Sequence, residues 1–281
     1  MSKNSTTLYK FSVTTGLIAV TCLAAPSYGA TTINFILQQK NQADVVQTTY
    51  IDDGKALIRA AGGDSNIDLF YQQSSETMTV INHEDRSTLD IDAEKVSRLA
   101  SQASGVMDLV RQQLMAQMEN MSEEQREQMQ KMIEGLGGAQ LVQPPSPPPQ
   151  PKFLKESGTR TVNGFTCDKT EIYQGERKIA EVCSAPADVL GIPNGDIAVI
   201  ESMRNMSQKL REQTAKITEK IGQSLPQFGV TEVAGVPVQM KDESGNTMTI
   251  SSIQSGIGDI ILDKPAGYVA KQMPSLPQLV Q

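Results

Sequence analysis

The chain has 281 residues, a formal net charge of −7, no Trp and only 4% aromatic residues. An acidic chain without a basic block, and with few rings for stacking, lacks the usual means of holding nucleic acid, anionic membrane surfaces or sugars. Its length admits one large domain or two small ones.

Residues 1–30 read as a secretory signal peptide. Lys3 and Lys10 form a positive start with no acidic residue, and Phe11 to Ala25 is apolar but too short and Thr-rich to span a bilayer. Ser27, Gly29 and Ala30 are small residues suited to a cleavage site, which predicts cleavage after Gly29 or Ala30 and export of the remainder. Loss of Lys3 and Lys10 takes the charge from −7 to −9. Cys22 raises the question of a lipid anchor. The Ala19-Val20-Thr21 before it lacks the Leu and the small residue of a lipobox, so Cys22 reads as a small apolar residue. No later stretch approaches the ~20 apolar residues of a spanning helix.

From residue 31 to residue 91 the chain reads as a strand meander. TINFIL, DVVQTTYI, KALIRAA, IDLFYQQ, TMTVINH and STLDID are rich in Val, Ile, Thr and Tyr, and Asp, Gly and Ser turns separate them. Such spacing predicts consecutive antiparallel hairpins. At Asp92 the period changes. Val96, Leu99, Ala103, Val106, Val110, Leu114, Met118 and Met121 recur at three- and four-residue steps, an apolar helical stripe within a segment running from 93 to 135. Ser122-Glu123-Glu124-Gln125 has the form of a capping box, so a second helix is expected there after a kink, with Gly135 as its C-cap.

Residues 143–151, QPPSPPPQP, predict an exposed polyproline-like connector; a ligand for a Pro-recognition module is the sharper alternative. Strands are expected to resume at RTVNGFTCDKTEIY and RKIAEVCS. A second long helix follows over about 197–222, with the stripe Met203, Met206, Leu210, Ile217 and Ile221 and with Asn194 or Asp196 as its cap. VPVQMKDE, NTMTISSIQ and DIILDKP predict three closing strands. The order strands, helix, linker, strands, helix, strands describes a single α+β domain over 31–281, a large antiparallel sheet bent around two long helical segments.

Removal of Cys22 leaves Cys167 and Cys183, an even number suited to an oxidising compartment. A hairpin centred on Gly175 places them directly opposite each other, within bridging range. The absence of CxxC spacing and of a nearby His favours a structural disulfide over a redox or metal pair.

Catalytic signals are few. The one His, His83, falls in a turn beside Glu84, Asp85 and Arg86, where a solvated side chain is the ordinary outcome. The acid pairs Asp52-Asp53 and Asp90/Asp92 sit where Asp commonly serves turns and caps. No Gly-x-Ser-x-Gly, P-loop, His-Glu-x-x-His or dinucleotide fingerprint is present, so no enzyme activity and no cofactor are expected. Methionine is unusual at 13 residues. Met115, Met118, Met121, Met129 and Met132 recur on helical turns, where thioethers suit copper(I). They equally suit a flexible apolar surface.

Thr161 to Lys169, TVNGFTCDK, resembles the "V-x-G-[YF]-x-C-x-K" strand of the exported domain-of-unknown-function family 4412. Gly235-Val236-Pro237-Val238, Pro265-Ala266-Gly267-Tyr268 and the Ile81 to Ser87 hairpin are similar to that family's other motifs, in the same order. The family is similar in turn to periplasmic lipoprotein carriers of the LolA/LolB type. The resemblance implies an incomplete LolA-like antiparallel barrel with helices over its concave face, located in the periplasm of a Gram-negative bacterium. It also implies a lipid, lipoprotein acyl chain or other hydrophobic client. Ile33, Phe35, Leu69, Tyr71, Met78 and Val80 are the candidate cavity liners, with Leu114, Met118 and Met121 as the lid. The same alternation also describes a filled core. A structural or interaction role with another envelope protein is the alternative function, and copper(I) binding is the third.

Overall fold

A computed structural model describes residues 29–119, 121–135, 151–221, 233–257 and 262–273. The meander forms as six strands: β1 (Ala30–Gln38), β2 (Val45–Asp52), β3 (Lys55–Arg59), β4 (Ile67–Gln72), β5 (Thr77–Asn82) and β6 (Ser87–Ile91). Each pairs antiparallel with the next. Helices α1 (Ala93–Glu119) and α2 (Glu123–Gly135) follow. The expected capping box closes the break between them: Ser122 N donates to Gln125 Oε1 at 3.1 Å, and Gln125 N to Ser122 Oγ at 3.4 Å. Gly135 ends the described helix, and its role as a cap lies outside the described residues, as does the Pro-rich connector up to residue 150.

The second half adds β7 (Pro151–Val162), β8 (Phe165–Gln174), β9 (Arg177–Ala185), α3 (Asn194–Ile221), β10 (Val236–Asp242), β11 (Thr247–Ile257) and β12 (Val269–Lys271). All twelve strands belong to one open sheet, ordered β12-β6-β5-β4-β3-β2-β1-β11-β10-β9-β8-β7. β1 sits inside it, bonded to β2 on one side and β11 on the other. The chain is therefore α+β with a large, mostly antiparallel sheet.

Several expectations need correction. RTVNGFTCDKTEIY is not one strand. Asn163 (φ 48°) and Gly164 (φ 85°) turn the chain between the paired residues Val162 and Phe165, because Asn-Gly readily accepts the two positive φ angles of a tight hairpin. Pro151 belongs to β7 rather than the connector; β7 is an edge strand, where a missing N–H costs no ladder bond. Leu262 to Pro265, the described part of DIILDKP, is not strand. β12 forms further on and pairs parallel with β6. Neither Asn194 nor Asp196 sits at the expected cap position: α3 begins at Asn194, and the Pro193 carbonyl accepts from Asp196 N and Ile197 N at 3.0 Å.

The expected disulfide is present, with Cα atoms 5.4 Å apart, but the two cysteines are not directly opposite. The turn occupies both Gly175 and Glu176, and the register shifts between Ile172 and Tyr173. Cys183 thus stands opposite Lys169, and the bridge closes diagonally to Cys167. A close approach fixes Gly235 before β10: a Cβ there would meet the Ala185 carbonyl oxygen at 2.5 Å.

The main core joins Ile33, Ile51, Ala56 and Tyr71 of the meander, Cys167 and Cys183, Val236, Val238 and Ile250, and Val199 and Met206 of α3. A separate cluster on the opposite face of the meander, Leu57, Phe70 and Ile81, is covered by Leu262 with Tyr50 and Tyr268.

Candidate functional site on the helix-bearing face

Helix α3 crosses one side of the meander. Ser202 Oγ lies 2.6 Å from the buried Tyr71 hydroxyl, and Lys209 pairs with Glu76 at 2.6 Å. Val199 and Met206 are each 1% exposed beneath it. Helix α1 packs along α3. These contacts mark the face that carries Tyr71 as the helix-bearing face, and strand alternation assigns the rest. One cross-strand row, Thr31, Ile51, Ala56, Tyr71, Met78 and Ile91, runs under the helices. The next row on the same face runs Ile33, Thr49, Ile58, Leu69, Val80 and Leu89. Its last four members are half-buried aliphatic side chains that belong to neither core cluster.

The predicted liners therefore divide. Ile33 (2% exposed) and Tyr71 (1%) are filled core. Phe35 and Met78 pack partly buried against that core. Leu69 and Val80 stand side by side in the half-covered row. The reading from sequence missed Ile58 and Leu89, although each alternates with residues of its own strand in the same way. Of the proposed lid, Leu114, Met118 and Met121 are half-buried, while Val106, Leu109, Val110 and Met115 on α1 are 41–56% exposed. Met129 is half-buried, and the side chain of Met132 lies outside the described residues. Among the described residues no cluster of His, Cys, Asp or Glu is arranged to hold a metal ion.

Charged groups gather on β7, β8 and β9, beside the disulfide. Lys169, 9% exposed in its side chain, meets Glu156 at 2.7 Å, Glu171 at 3.2 Å and Glu181 at 3.3 Å. Lys178 bridges Glu171 and Glu181. The Tyr173 hydroxyl donates to Glu171 at 2.9 Å. This bond, with Lys178 and Lys169, holds the Glu171 carboxyl down at about 2. Lys169 is held above its ordinary range, mainly by Glu156 and against the effect of burial. Arg160 also meets Glu156, at 3.3 Å, so three cations face three carboxylates and the network braces three strands.

His83 is not a freely solvated turn residue. Its Nε2 lies 2.9 Å from Asp68 Oδ2, and its Nδ1 lies 2.8 Å from the Tyr268 hydroxyl. The consistent tautomer donates from Nε2 to Asp68 and accepts from Tyr268. Asp68 Oδ1 also accepts from Ala60 N at 3.1 Å. The chain of bonds ties residues 262–271 across the back of the meander, alongside the Asp263–Lys55, Lys264–Asp90 and Lys271–Asp85 pairs. A polar depression of about 210 Å³ lies at the tip of β2–β3, lined by Asp53, Gly54, Lys55, Gln72, Gln73 and Ser74. It is separate from the apolar row.

No protein-family model matches the chain, and no curated protein matches it in sequence. Among solved structures it is similar to PNGF-II in two crystal forms. The C2 form matches at 9% identity and TM-score 0.38, over 89% of this chain and 32% of that one. The P21 form matches at 8% identity and TM-score 0.36, over 87% of this chain and 32% of that one. The chain thus spans about a third of the PNGF-II length, and superpositions this loose carry no argument about fold or activity.

Proposed function

We propose that this chain is an exported, non-enzymatic binding protein with a LolA-like incomplete barrel, which shelters an acyl chain or another hydrophobic client on its helix-bearing face. The observation that carries the reading is the half-buried row of Ile58, Leu69, Val80 and Leu89, beside a row in which Thr31, Ile51, Ala56 and Tyr71 are fully buried. Burial of each client methylene against such a row is worth ~0.8 kcal/mol, so useful binding needs no catalytic group. The motif resemblance to the exported family and the Cys167–Cys183 bridge support the compartment.

Native mass spectrometry of the protein purified from the periplasm, followed by lipid extraction, tests it. A co-purifying acyl lipid, or uptake of added fatty acid or phospholipid, is the expected result. A clean apo mass with no uptake overturns it. The exposed Val106, Leu109, Val110 and Met115 of α1 favour a second reading, an apolar contact with another envelope protein. A mass increment matching copper would instead promote the methionine cluster.

A further inference from the structure

We infer that the ligand of the half-buried row is a single-chain anionic amphiphile, which lies across the strands with its tail towards β3 and its charged head at Lys271. The inference rests on the client-binding reading and deepens it, by naming the charge of the ligand and the direction in which it lies.

The row has two unlike ends. Towards β2 and β1 it runs into Thr49, 5% exposed, and Ile33, 2% exposed, so the core closes that end. Towards β6 it reaches Leu89, and β12 is the next and last strand of the sheet. The parallel register sets Lys271 beside Leu89 and Val269 beside Ser87. Alternation then places Val269 and Lys271 on the helix-bearing face. It places Tyr268 on the opposite face, where Tyr268 indeed packs with Leu57, Phe70 and Ile81. From Ile58 on β3 to Leu89 on β6 the aliphatic row spans three strand spacings, ~14 Å, the reach of a medium acyl chain. A row closed at its apolar end, with a lysine just past its open end, matches a molecule that is apolar along its length and negative at its tip.

Lys271 can change partners. Its side chain is 54% exposed and pairs with Asp85, itself 42% exposed, and a surface pair of this kind holds weakly. Asp85 keeps a bond when the lysine leaves, because its Oδ1 accepts from the Ser87 hydroxyl at 2.5 Å, and water solvates the rest. The ligand's carboxylate gains a charge-assisted bond from Nζ against an apolar wall. A cationic head on Asp85 fits less well: Asp85 lies in the β5–β6 turn, before Ser87, whereas Lys271 is in register with the row. Two further lysines near this edge are engaged elsewhere. Lys95 meets Asp92 and the Asp90 carbonyl at the start of α1, and Lys264 meets the Asp90 carboxylate on the opposite face.

Isothermal titration of the purified protein with three probes of one chain length gives the test: dodecanoate, its uncharged methyl ester and dodecyltrimethylammonium, at low ionic strength. Dodecanoate should bind about fivefold tighter than the ester, the scale of one exposed ion pair, and the cation should bind weakest. Lys271→Gln should bring dodecanoate down to the ester while the ester binds as before, which also shows that the variant is folded. A nitroxide at the tail of the dodecanoate should broaden the methyl signals of Ile58 more than those of Leu89. Equal binding of acid and ester, tighter binding of the cation, a preference that survives Lys271→Gln, or the reverse order of broadening overturns the inference and leaves the client-binding reading standing. Failure of all three probes to bind overturns both.

Discussion

Tyr71 is buried to 1% exposure, yet it carries a hydroxyl, and that hydroxyl finds Ser202 of α3 at 2.6 Å. The bond selects how far along its own axis α3 lies on the sheet. Tyr71→Phe removes one partner and strands the other, which should cost about 1–2 kcal/mol; a lower denaturant midpoint at unchanged slope is the expected measurement. Glu171 carries one part of the acid dependence. Tyr173, Lys178 and Lys169 bond its ionised form and hold its folded-state value at about 2, below the ordinary 4.5. The unfolded chain therefore takes up the proton first. The stabilisation from this carboxylate is complete above pH 4.5 and is lost as pH falls towards 2. The melting temperature of Glu171→Gln should fall less steeply across that interval than that of the parent. Identical slopes would locate the acid sensitivity elsewhere.

The β8–β9 hairpin is held by a diagonal disulfide. Closure of a loop of 16-residue separation should contribute ~3 kcal/mol by restricting the unfolded chain. The paired Cys167→Ala and Cys183→Ala substitution should lower stability by about that amount, and reduction of the parent chain by a thiol should produce the same loss. What the sequence disclosed about the elements follows local chemistry. The meander was legible from β1 to β6 because alternation and turn residues coincide, as at the Asp53-Gly54 turn between Asp52 and Lys55. The capping box at Ser122 was legible for the same reason. Asn163-Gly164 carried an equally strong turn signal, but the apolar alternation on both sides reads as one long strand. β12 had no local signal, because its three residues are all exposed and it exists through Tyr268, Leu262 and the ionic contacts of the segment before it. The disulfide was legible as a pair but not in register, since one register shift near Ile172 moves every later residue of β9.

At the scale of the molecule, the two halves of the chain meet through β1 and β11, so the meander becomes one wing of a twelve-strand sheet with α3 laid across it. Alternation groups Leu69 and Val80 with Tyr71 on one face of the meander, but it could not say whether that face is filled. The answer depends on where α3 runs, and only long-range contacts such as Tyr71–Ser202 and Glu76–Lys209 decide it. The same geometry makes the client-binding proposal separable from stability. Leu69 and Val80 are half-buried neighbours outside both core clusters, whereas Met206 is 1% exposed within the main core. Leu69→Gln with Val80→Gln should abolish uptake of an apolar fluorescent fatty acid while moving the melting temperature little, because a half-exposed amide keeps its water. Met206→Ala should do the reverse, costing about 2–5 kcal/mol as a core truncation while the folded fraction retains uptake. If the glutamine pair binds the probe as the parent does, the row is only surface, and the exposed apolar residues of α1 become the place to seek a partner.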